Sequence, residues 1–175
     1  MAANTNSYAT STEVKPFAYD PATNPELFDG VRTRRIIAFL IDVVIIAFPV
    51  AVAGILILLL SIVTFGLGLI LFWPLQIGAV IWALLYYGFT LGSSVSATIG
   101  MRVMDIEMRT WNGAPCYFVL GAVHAIGYWF SVSMLTPLVI LIGLFNTRKR
   151  LLHDMVLGTV VINNPARASQ LVRRR

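Results

Sequence analysis

Residues 34–60 read RRIIAFLIDVVIIAFPVAVAGILILLL, two arginines followed by 25 residues whose sole charge is Asp42. A helix needs about 20 mostly apolar residues to cross roughly 30 Å of hydrocarbon, so the stretch predicts a spanning helix over residues 36–60. The pattern continues outward. From Ile36 to Met101 Asp42 remains the only formal charge, and from Thr110 to Thr147 there is none. Across all 175 residues 58% are hydrophobic and 12% charged, where soluble domains run about 45–50% and about 25%. These proportions exclude a disordered chain and argue against a soluble domain. The expected class is an all-α integral membrane protein.

A second span is predicted over residues 69–91, with Trp73 near one end and Tyr86 and Tyr87 near the other, as interfacial aromatic rings would be. Ser61, Thr64, Gly66 and Gly68 mark a tight reversal between the two, giving an antiparallel helical hairpin. Arg32, Arg34 and Arg35 precede the hairpin and Arg102 and Arg109 follow it, so the positive-inside bias places the N-terminus in the cytoplasm. The polar stretch after the hairpin then lies on that side too. Within it Ile106 and Met108 alternate with Glu107 and Arg109, the period of a half-buried strand, and Asn112-Gly113 supplies a turn. A second β-like run covers residues 159–162, and pairing the two would satisfy backbone groups that neither satisfies alone.

The apolar block 116–146 is comfortable for one crossing and too short for two. One crossing would leave Arg148, Lys149, Arg150, Arg167, Arg173, Arg174 and Arg175 outside, against the charge bias. Ser131 to Pro137 offers a break, since proline removes a helical hydrogen bond. The expectation is a broken third segment, about 117–131 and 134–146, interfacial or re-entrant; the alternative is one kinked crossing. Residues 1–30 read as a flexible cytoplasmic tail, 31–162 as the membrane domain and 163–175 as a basic C-terminal tail.

Chemistry-bearing residues are few. A carboxylate inside a span costs about 2.5–3.5 kcal/mol on insertion scales, so Asp42 must face protein or water and find a partner. Arg35 lies seven residues earlier on the same helical face and is the expected partner, either in a proton or cation site or in a structural ion pair. Gln76 is a candidate for a polar track with Asp42, and His124 for a relay or a neutral interior histidine. His153 and Asp154 are adjacent, share no helical face and form no dyad; Asp154 is expected to accept bonds at the membrane surface. Small residues at Ala47/Ala51, Ala79/Ala83 and Gly121/Ala125 would let helices approach closely. The single Cys116 leaves no intramolecular disulfide. No protease, hydrolase or phosphate-loop pattern occurs, so no enzyme, metal or cofactor is expected. The basic flanks point to anionic lipid headgroups instead of nucleic acid.

Arg35-Ile36-Ile37-Ala38-Phe39-Leu40-Ile41-Asp42 resembles the opening of the RDD family of bacterial membrane proteins, named for one arginine and two aspartates. Thr98-Ile99-Gly100-Met101-Arg102 is similar to that family's Thr-Leu-Gly-Lys-Arg stretch, with Met101 where lysine is common. Arg150-Leu151-Leu152-His153-Asp154 through Gly158-Thr159-Val160-Val161 is similar to its closing segment. The resemblance implies that the named residues fall on Arg35, Asp42 and Asp154, that Arg102 sits in a matched motif, and that the chain lies in the bacterial cytoplasmic membrane as a multi-pass protein. Transport and sodium/proton exchange are suggested for such proteins. Two functions stay open. One is a transport or ion-exchange component in which Asp42 binds a proton or cation, working as a homo-oligomer or with a larger membrane partner. The other is an accessory protein in which the Arg and Asp residues form a latch.

Overall fold

The computed structural model describes residues 18–145 and 152–174. Helix α1 runs Val31–Val63 and carries Pro49. With few polar side chains to compete for its backbone beyond the arginine cluster, it continues for about 50 Å. Phe65 and Gly66 then take positive φ, the Gly66 N–H bonds to the Ser61 carbonyl, and a 3-10 turn at Leu67–Leu71 leads into α2, Phe72–Leu91. The reversal depends on Gly68, where a Cβ would stand 2.6 Å from Ser61 Oγ. Helix α1 and the Leu67–Leu91 segment are each long and apolar enough to cross a membrane. Their outward faces expose Ile36, Val44, Phe48, Leu56, Ile77 and Trp73, a surface that in water is an aggregation liability.

A short helix α3, Ile99–Val103, follows, then β1, Ile106–Thr110. Helix α4 spans Phe118–Phe145, α5 Leu152–Val156, β2 Thr159–Asn163 and α6 Pro165–Arg173. The strands pair as expected, and the pairing is antiparallel, Met108 opposite Val161 and Thr110 opposite Thr159. Gly113 turns back toward Thr110 at positive φ. The sheet separates two clusters. Ile106, Met108 and Val161 pack with Val31, Ala38, Leu91 and Met101, whereas Val160 and Ile162 pack with Tyr19, Leu27, Phe28 and Ala168.

Three expectations change. The third apolar block is one continuous helix, not two pieces broken at 131–137. A single proline removes one backbone hydrogen bond from a helix of 28 residues, a local loss that does not end it. Residues 18–30 are not a free tail: Tyr19, Leu27 and Phe28 are buried, and Asn163 Nδ2 donates to the Glu26 and Asp29 carbonyls at 2.8 and 2.9 Å. The basic C-terminal segment also forms structure, α6, capped by the Asn164 side chain on Arg167 N and docked through Ala168.

Helix α4 packs along α2 with almost no spacing. A Cβ at Gly121 would meet Leu91 Cβ and the Tyr87 carbonyl at 2.9 Å, and one at Gly88 would meet the Phe118 ring at 2.6 Å. The Gly121/Ala125 pair thus lies at a helix contact, with Ala125 buried. Ala47 and Ala51 are exposed and Ala79 and Ala83 half-buried. By residue 154 the chain is back beside His124, although the end of α4 lies roughly 30 Å from that histidine along a straight axis.

Candidate functional site

Asp42 is 3% exposed and fully engaged. Its Oδ1 accepts from the Tyr86 hydroxyl at 2.5 Å and from the Gly100 N–H at 2.8 Å; its Oδ2 accepts from the Thr98 hydroxyl at 2.6 Å. Thr98 serves twice, because its oxygen also caps α3 by accepting from Met101 N at 3.1 Å. Tyr86 likewise accepts from Ile99 N at 3.3 Å. The carboxylate therefore ties α1 to α2 and to the start of α3. The approach is possible because residue 100 is glycine: a Cβ there would sit 2.1 Å from the Ala38 carbonyl oxygen and 2.8 Å from Asp42 Oδ1.

Arg35 does not pair with Asp42, as the seven-residue spacing led one to expect. Its guanidinium makes a two-pronged contact with Asp154, NH1 to Oδ2 at 2.5 Å and NH2 to Oδ1 at 2.8 Å. Asp154 is wholly buried, and His124 Nε2 stands 3.7 Å from its Oδ1. Helical periodicity placed Arg35 and Asp42 on one face correctly but could not show which elements fold over that face. Helix α5 reaches the arginine first, and the α2–α3 corner reaches the aspartate.

A cavity of about 280 Å³ lies between these anchors, lined by Arg35, Asp42 and His124 among apolar groups such as Phe39, Tyr87 and Tyr128. The other candidates lie elsewhere. Gln76 is exposed on α2, ten residues and about 15 Å along the helix from Tyr86, so it builds no track with Asp42. Arg102 holds the preceding loop, donating to the Ala97 carbonyl at 3.0 Å and to Ser93 Oγ at 2.9 Å. The His153 side chain lies outside the described residues. Among the described residues, no cluster of three or more His, Cys, Asp or Glu is placed to hold a metal ion.

Sequence reasoning missed Tyr86, Thr98 and Gly100 as Asp42 ligands. Tyr86 read as an interfacial ring, yet it is buried. Thr98 carried a usable signal, a hydroxyl directly before a short helical run.

The RDD family model matches residues 30–158, about three quarters of the chain, and takes in Arg35, Asp42 and Asp154. The chain belongs to the RDD family. No curated protein and no solved structure matches it. In this RDD protein the three named side chains divide into two separate contacts, Arg35 with Asp154 and Asp42 with three uncharged donors, and both Arg35 and Asp42 line one cavity.

Proposed function

We propose that this RDD protein is a component of a transport or ion-exchange system in the bacterial cytoplasmic membrane, with Asp42 as the group that takes up and releases a proton or small cation. The observation that carries the reading is the cavity, which reaches a carboxylate well inside an apolar helix and is also lined by Arg35 and His124. Intramembrane carboxylates of this kind mark ion pathways.

Its hydrogen bonds are compatible with a change of protonation. The Gly100 N–H can only donate, so Oδ1 stays an acceptor. Thr98 can turn its hydroxyl from donor to acceptor, so a proton arriving on Oδ2 has a partner without any backbone movement. The N-terminus, the sheet and the C-terminal helix are assigned to the cytoplasm, on the arginine distribution and on the return of the chain to His124. Basic side chains there face anionic headgroups. Two spans and α4 are too few to enclose a pathway, so the working unit is a homo-oligomer or includes a larger membrane partner.

One observation favours a second reading. Asp42 is satisfied by three donors and Arg35 by Asp154, which is also what a latch in a non-transporting accessory protein requires. Asp42→Asn separates the two, because asparagine keeps the Oδ1 bonds and offers its amide to Thr98 while removing the charge. In sealed vesicles the transport reading expects a folded, inserted protein with proton-coupled flux abolished. Undiminished flux in the folded variant refutes it, and loss of abundance with a loosened C-terminal segment supports the latch.

A further inference from the structure

Helix α1 packs against α3, and α4 against α2; the cavity is the space left between α1 and α4. These two helices meet at the rings of Phe39 and Tyr128, whose centroids are 5.2 Å apart. Apart from Arg35, Asp42 and His124, the walls are largely apolar, with Ile36, Leu91 and Ala125 among them. Ile36 lines the cavity and is also 62% exposed, so the opening faces sideways onto the apolar outer surface of α1. Arg32 lies at the same opening, one turn from Arg35 and Ile36, with an exposed side chain. Arg35 spends two of its five N–H groups on Asp154.

We infer that this cleft binds one acyl chain of an anionic phospholipid, with the phosphate held by Arg32 and by the remaining N–H groups of Arg35. A sideways aperture admits a ligand already dissolved in hydrocarbon, the walls match an alkyl chain, and a guanidinium stands at the end nearest the headgroups. Basic pockets between spanning helices on the cytoplasmic side bind anionic headgroups in this way. The volume, about 280 Å³, lies just below the usual range of ligand pockets, about 300–1,000 Å³, so it takes part of one chain and not a whole lipid. The inference rests on the membrane-spanning part of the reading above and not on exchange at Asp42.

The test is native mass spectrometry of the full chain released from vesicles of equal phosphatidylglycerol and phosphatidylcholine. One phosphatidylglycerol is retained per chain, with a roughly fivefold preference from one guanidinium. Because the charge of Arg35 is offset by Asp154 and its N–H groups can hold the phosphate of either lipid, Arg32→Gln abolishes the preference, Arg32→Lys keeps it, and Ile36→Trp, which narrows the mouth from its exposed side, lowers retention of both lipids. Equal retention by the wild type overturns the inference, as does a preference surviving Arg32→Gln or retention unaffected by Ile36→Trp. Inorganic phosphate at millimolar concentration leaves the lipid in place; displacement by it identifies a phosphate site and overturns the lipid assignment. Carbonate extraction is read separately. A chain washed off by carbonate defeats the spanning reading, whereas an inserted chain without lipid preference defeats the cleft alone.

Discussion

Replacing Gly100 by alanine probes the contact on which the Asp42 site is built. The added methyl would lie 2.1 Å from the Ala38 carbonyl oxygen, 2.9 Å from the Ala38 carbonyl carbon and 2.8 Å from Asp42 Oδ1. Two of those atoms are helix backbone, so α3 must retreat by about 1 Å or more to reach ordinary contact. That movement lengthens the 2.8 Å bond from Gly100 N to the carboxylate. A hydrogen bond to a charged group contributes about 1.5–3 kcal/mol, and overpacking costs about 1–3 kcal/mol. Together they predict a loss of roughly 2.5–6 kcal/mol, a large part of the 5–15 kcal/mol that holds a typical domain together. Gly78→Ala is the internal control. It lies in α2 with nothing within 4 Å of its added carbon, and removing a helical glycine should gain about 0.5–1 kcal/mol. Thermal unfolding of the two variants in detergent micelles, followed by tryptophan fluorescence, gives the comparison. If Gly100→Ala melts no lower than Gly78→Ala, the close approach of α3 to Ala38 is refuted, and the Asp42 geometry with it.

Three further outcomes are expected. Arg35→Ala leaves Asp154 buried without its charge partner and should cost about 3–5 kcal/mol; Arg35→Ala with Asp154→Ala should recover much of this in the same melts, and additive losses would show that the two do not form a unit. Thr98→Val removes both the α3 cap and a donor to Asp42, at a cost of roughly 2–4 kcal/mol, while Thr98→Ser stays near wild type; equal melting of Val and Ser variants would contradict the double role. Burial pushes the Cys116 thiol from 9.0 up to about 12, against the pull of Arg109. A group raised in the folded state stabilises fully below its unfolded value, so this contribution is intact below pH 9 and fades as pH rises from 9 toward 12. Maleimide at pH 8 should modify Cys116 in the unfolded chain and spare it in the folded one, and rapid labelling of the folded chain would place the thiol at the surface.

The hairpin was legible because its signal is redundant: length, missing charges and the glycines of the reversal agree. The sheet was legible because Ile106 and Met108 alternate with Glu107 and Arg109, and Val160 to Ile162 offer a matching run. The continuity of α4 was not, since Pro137 reads as a breaker although a proline removes only one helical hydrogen bond, a loss that Pro49 shows α1 also carries. The order in residues 18–30 was hidden by their polar composition; three side chains, Tyr19, Leu27 and Phe28, carry it. For the site, resemblance located Arg35, Asp42 and Asp154, but their partners come from elements more than 40 residues away in sequence. Only tertiary packing decides such pairings.

Those pairings give α1 an ordered set of anchors. Arg35, Ala38 and Asp42 recur at helical spacing on one face, and each takes a different part of the chain: α5 through Asp154, Gly100 by direct backbone approach, and the α2–α3 corner through Tyr86 and Thr98. Because Thr98 is also the α3 cap, the hydroxyl that would respond to a proton at Oδ2 is the one that caps α3, while the close approach of Gly100 to Ala38 holds the backbone in place. The latch and the exchange readings therefore rest on one set of contacts, and they differ in whether the charge on Asp42 changes. A carboxylate that only fastened helices would have no need of the cavity beside it, and one that only exchanged protons would have no need of a backbone donor fixed at 2.8 Å. The combination is what a helix junction requires if its strength is to follow the charge on Asp42.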